Sequence, residues 1–229
     1  MEPTLDIIET NRARLSGEIL KEPFFSHKTY GEAFYETLIG VERSSGYRDE
    51  IRLQISERLL RTADVSEGSM VEVRGQVRTY NEDVDGRSKL NIVVFVREIN
   101  NARDFGQNSA EAEDDAFNQS KYQCAYDDFE YENEIYLDGH ICKEPVRRTS
   151  PLGREICDIM LAVNRMYNKS DYVPCIAWGR NAAYAGTLEV GDRLTIYGRI
   201  QSREYRKRDE DGNSIPNVAY EVSVIKIED

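Results

Sequence analysis

Apolar and polar residues alternate with a period of two through much of the chain, the period of strands rather than helices. Val71, Val73 and Val77 alternate with polar partners, and Leu194, Ile196 and Ile200 repeat the pattern. Over 50–56, Ile51, Leu53 and Ile55 take one face and Glu50, Arg52, Gln54 and Ser56 the other. Val218, Tyr220, Val222 and Val224 mark one face of a last strand. Two short stretches predict one helix each, over 57–63 and 180–185. Gly75 and Gly198 fall inside otherwise good strands and predict bends or bulges there.

The patterned segments occur twice. Residues 11–23 return as 133–145, and the offset of 122 holds without a gap from Asn11 to Ile55, with 11 of 45 positions identical. A one-residue shift then aligns Gly68 with Gly191 and Gly75 with Gly198, and 94–99 corresponds to 222–227. The chain therefore divides into a first repeat (1–100), an intervening segment (101–132) and a second repeat (133–229). Five strands with a short helix between the third and fourth predict an all-β fold: two tandem OB-folds, each a small five-stranded Greek-key barrel. The pattern alone also fits an SH3-like barrel.

A net charge of −12 argues against a polyanionic partner until it is broken down. The first repeat carries 14 Lys/Arg against 18 Asp/Glu, the intervening segment 2 against 9, and the second repeat 14 against 15. Acidic runs at 110–115 and 126–131 make 101–132 a linker, read either as a solvated spacer or as a segment shielding a binding face or recruiting a partner. What decides phosphate binding is local potential, so the sum does not exclude nucleic acid. Cys124, Cys142, Cys157 and Cys175 form no C-x-x-C pair, and His27 and His140 lie far apart. These spacings predict reduced thiols, no metal site and no cofactor. No phosphate loop or nucleophile motif points to an enzyme. With no apolar run of spanning length and no leader pattern in residues 1–12, the expected location is the cytoplasm, with the nucleoid, and no membrane is expected as a partner.

The third strand separates the two copies. In the second repeat its inward set is Val173, Cys175 and Ala177, and its outward set Tyr172, Pro174, Ile176 and Trp178. The only tryptophan and a tyrosine thus stand where the first repeat has Glu50 and Ser56. Exposed rings stack on any nucleobase, which predicts a sequence-independent platform for single strands. Cations follow in sequence: Arg147 and Arg148 before the second strand, Arg154 and Arg165 along it, and Arg180 after Trp178. Arg199, Arg203, Arg206, Lys207 and Arg208 line the fourth strand, with Tyr205 among them. The competing reading covers both rings with protein and leaves an interaction module.

The ordered set Arg148-Thr149, Gly153, 161–165, Asp171-Tyr172, 178–182, Val190-Gly191, 196–199 and 203–205 closely resembles the bacterial single-stranded DNA-binding protein (SSB) family across nearly all of 133–227. The first repeat resembles a diverged copy that keeps Tyr80 as a counterpart of Tyr205. The resemblance implies stacking of single-stranded DNA on Tyr172, Trp178 and Tyr205. It implies backbone contacts at Arg148, Arg180, Arg199 and Arg203, with Arg206 and Arg208 extending the set. It further implies work in replication, repair or element transfer, contacts with proteins of those processes, and a homodimer that brings four OB domains together. The alternative it leaves is an OB-fold scaffold comparable to primosomal proteins, with little direct DNA binding; an RNA ligand is a third option.

Overall fold

The structure, a computed structural model, describes residues 10–84, 86–101, 132–150, 152–165, 169–208 and 214–228. The acidic linker, apart from its end residues, lies outside the described residues. The first repeat forms β1 (Asn11–Ile19), β2 (Phe24–Thr29), β3 (Glu32–Glu42), β4 (Arg48–Ser56), α1 (Glu57–Ala63), β5 (Met70–Val84) and β6 (Arg87–Asn101). The second forms β7 (Asn133–Ile141), β8 (Val146–Thr149), β9 (Glu155–Asn164), β10 (Ser170–Trp178), α2 (Gly179–Ala185), β11 (Arg193–Arg208) and β12 (Ser214–Glu228).

Strand order is the same in both copies: β2-β3-β4-β6-β5-β1 and β8-β9-β10-β12-β11-β7. The third and last long strands run parallel, at Leu53↔Val94 and Cys175↔Val222. Each sheet closes by pairing its first strand with its second long one. These closures, Glu18↔Gly40 and His140↔Ala162, coincide under the offset of 122. That order is the OB-fold, present twice. Each copy also carries a sixth strand, β2 or β8, hairpinned onto the next. Both are almost wholly exposed, so no alternation of burial betrays them in the sequence. Arg147 and Arg148 accordingly lie within β8, and Arg154 and Arg165 flank β9, not as their sequence order suggested.

The interiors are filled from alternate positions. Ile51, Leu53 and Ile55 are buried in one barrel and Val173, Cys175 and Ala177 in the other, facing Leu161, Ile196, Ile200 and Val222. Burial pushes the thiols of Cys142, Cys157 and Cys175 above their ordinary value, which makes them poor nucleophiles. Two glycines show why small walls are needed at the crossings. A Cβ on Gly139 would fall 2.5 Å from the Ala162 carbonyl oxygen, at the closure of the second barrel. One on Gly198 would fall 2.5 Å from that of Ser223, beside a β-bulge between β11 and β12. No helix among the described residues is long and apolar enough to cross a membrane.

The chain packs as two compact units. One is built on residues 14–75 and 93–134; the other takes the segment Gln76–Ile92 together with residues from Ile135 onward. The tip of the β5–β6 hairpin, encoded in the first repeat, thus belongs to the same unit as the second barrel.

Candidate nucleic-acid interface

The candidate face grows out of β10. Its alternation sends Tyr172, Pro174, Ile176 and Trp178 away from the core, and cross-strand pairing sets their neighbours. On β9 these are Ala162, Met160, Asp158 and Ile156, each directly opposite and so on the same face. Ser223 lies beside Ile176 on β12. Beyond it, Arg199, Gln201, Arg203 and Tyr205 on β11 stand opposite Ser223, Glu221, Ala219 and Asn217. The three predicted stacking residues therefore project from one continuous β-surface.

Tyr172 is 53% exposed and presents its ring to solvent. Trp178 is half-buried, and its indole Nε1–H donates to Ser223 Oγ at 3.2 Å, which fixes the ring's edge on the sheet. Tyr205 is half-buried on the β11–β12 ribbon, with the Arg203 guanidinium 6.0 Å from its ring centre. Ile176 departs from expectation: predicted outward and wet, it is 3% exposed. It shares the face with Ile156, 2% exposed and paired with Trp178, so two buried isoleucines lie on the same face as the rings.

The arginines divide. Arg148 reaches back across the β8–β9 hairpin to Asp158, with Nε and Nη2 at 2.5 and 2.9 Å from the two carboxylate oxygens. That bond raises the guanidinium pKa above its ordinary value. Arg203 lies 3.9 Å from Glu221, which also accepts from Gln201 Nε2 at 2.9 Å. Arg199 is half-buried opposite Ser223. Arg180 is exposed at the start of α2, immediately after Trp178, and has no ion pair with another described residue. Arg206 alternates to the opposite side of the ribbon from Tyr205, so the sequence grouping of the two does not survive as one face. Arg208 pairs through its backbone with Ser214, and its side chain lies outside the described residues.

Arg165, counted among the flanking cations, has another task. It forms a two-pronged ion pair with Asp171, which is wholly buried. The first repeat builds the same pair from Arg43 and Asp49, at 2.5 Å, and the positions coincide under the offset of 122. The repeat alignment held that signal, since both residues are among the identical positions. Helix entry also differs between copies. Ser56 caps α1 by accepting from the Leu59 N–H, whereas Trp178, at the equivalent place before α2, makes no side-chain cap.

Residues 132–226 match the model of the Single-strand binding protein family. The chain is 32% identical over 90 residues to "Single-stranded DNA-binding protein 2" of Listeria innocua, covering 36% of this chain and 55% of the relative. To "Single-stranded DNA-binding protein A" of Bacillus subtilis it is 31% identical over 83 residues, 33% of this chain and 48% of the relative. The chain thus spans about half the length of the curated relatives it matches. The crystal structure of wild-type single-stranded DNA binding protein from Thermus aquaticus superimposes with a TM-score of 0.64 at 19% identity, over 95% of this chain and 91% of that one. This likeness extends the shared fold over both repeats. Residues 132–226 are therefore similar to the single-strand binding protein family, and the likeness of the whole chain to solved structures is one of fold.

Proposed function

We propose that the protein binds single-stranded DNA without regard to sequence, chiefly through the carboxy-terminal OB domain (133–229). Tyr172, Trp178 and Tyr205 stack bases, while Arg148, Arg180, Arg199 and Arg203 meet phosphates. The observation that carries the reading is one β-surface bearing all three rings, with Tyr172 more than half exposed and Trp178 anchored at its edge. The names of the relatives support the ligand. Where the platform positions of the second repeat are aromatic, the first has Glu50 and Ser56, so it contributes no matching platform. The bound strand undergoes no chemistry. Replication, repair or element transfer is the setting such binding serves, and two chains would bring four OB domains together.

The test is a titration with oligo-dT followed by Trp178 fluorescence. Quenching that weakens steeply with salt is expected, and Trp178→Ala should cost ~1–3 kcal/mol of binding with the fold intact. Unquenched fluorescence at low salt would reject the reading.

A second reading has its own observation. Phe24 and Phe25 on edge strand β2, with Tyr30 at the hairpin tip, are 55%, 58% and 104% exposed, an aromatic surface suited to a protein partner. It assigns the first repeat to scaffolding, and capture of partners that survives deletion of those rings would exclude it.

A further inference from the structure

We infer that the β5–β6 hairpin encoded by the first repeat is a working part of the carboxy-terminal DNA site: Thr79 positions Tyr172, and Lys89 adds a phosphate contact beside Tyr205. This rests on the reading of that face as a single-strand site.

The case begins with Asp171. A wholly buried carboxylate must have its oxygens satisfied, or it is costly to keep ionised. Arg165 supplies two donors from the same barrel. The others come from the hairpin: the Thr79 N–H donates to Oδ1 at 2.6 Å, and Arg78 Nη1 to Oδ2 at 3.2 Å. The chain replies in the other direction. Tyr172 N–H donates to Thr79 Oγ1 at 3.0 Å, and Arg165 Nη2 to the Thr79 carbonyl at 3.3 Å.

Sheet geometry explains why this spot needs a clamp. On one side, β10 pairs with β9 along its whole length. On the other it pairs with β12 only at Cys175 and Ile176, which leaves the edge around Tyr172 without a β12 partner. Thr79 fills that edge. The ring of Tyr172 stays exposed while its backbone is held from both sides.

The second strand of the hairpin reaches the far end of the face. Lys89 Nζ donates to Asn217 Oδ1 at 3.2 Å, and Asn217 is the residue directly opposite Tyr205. Arg148 and Arg203 have carboxylates beside them; Lys89 bonds a neutral amide, so its charge remains available to a phosphate. The hairpin thus meets the site at two places, the backbone of Tyr172 and the residue opposite Tyr205.

The full chain is titrated with oligo-dT over a salt series, with Trp178 fluorescence as readout. Lys89→Gln should weaken low-salt binding severalfold and make the log–log salt slope shallower by about 0.7, leaving the quench amplitude unchanged. Lys89→Arg should restore both. Thr79→Val should weaken binding about tenfold at an unchanged slope, and should add little to Tyr172→Ala, since both act through one ring. A wild-type slope in Lys89→Gln would overturn the Lys89 contact. Full additivity of Thr79→Val with Tyr172→Ala would overturn the positioning role. Wild-type protein that fails to quench would instead remove the site reading beneath both.

Discussion

The bond between Arg148 and Asp158 makes the sharpest prediction. If Arg148 meets a phosphate, Asp158 competes for the same guanidinium, and Asp158→Asn should tighten DNA binding. The side chains are 43% and 41% exposed, so the pair itself is worth at most ~1 kcal/mol of stability and the variant should fold. Removing a unit negative charge about 4 Å from an incoming phosphate is worth ~1 kcal/mol in water, about fivefold in affinity. Releasing the arginine also adds one neutralised phosphate, which steepens the log–log salt slope by about 0.7. A fourfold rise in salt, from 50 to 200 mM, should then erode the variant's advantage about 2.6-fold. Oligo-dT titrations at several salt concentrations read both quantities at once. Weaker binding by a folded Asp158→Asn would refute the reasoning, because the carboxylate would then be aiming the guanidinium rather than contesting it. An unchanged affinity and slope would place Arg148 off the DNA path.

Two further outcomes follow from packing and charge. Gly198→Ala should lose roughly 1–3 kcal/mol in thermal or chemical unfolding, since its Cβ meets the Ser223 carbonyl at 2.5 Å; an unperturbed melting temperature would contradict that crossing. The carboxyl of Asp138 is held below its ordinary value by its hydrogen bonds from Arg193, which makes it a folded-state acid with a depressed pKa. Its contribution is therefore present above the usual carboxylate range of ~3.9 and lost as pH falls through the folded value. Asp138→Asn should lower stability at neutral pH and flatten the acid limb of a melting-temperature profile, and an identical acid limb would show that the pair does not stabilise the fold.

The barrels were legible because each strand buries every second residue, as at Ile51, Leu53 and Ile55, and because the duplication showed every element twice. The helix over 57–63 lies where it was expected, and the second begins one residue earlier, at Gly179. The placement of Tyr172 and Trp178 on one face was legible for the same reason, since alternation assigns both positions to the side away from the core. What alternation cannot show is which side chain lies across a strand boundary. Ile176 obeys the pattern yet is buried, on the same face as buried Ile156 and between Asp158 and Ser223 on the flanking strands. Arg165 was counted with the cations along β9, whereas its charge is paired with buried Asp171, six positions away in sequence. The strand β8 escaped notice because its four residues are all exposed and only backbone bonds define it. Lys89 was passed over because nothing in linear order joins it to Asn217, 128 positions away.

The entrances to the two helices differ in the help their side chains give. Ser56 satisfies an otherwise orphaned amide at the start of α1, a service worth about 0.5–2 kcal/mol in comparable helices. Its counterpart, Trp178, offers no such bond, so the second barrel begins its helix without side-chain help. Ser56→Trp should therefore loosen the first barrel, and Trp178→Ser should steady the second while removing the ring proposed to stack.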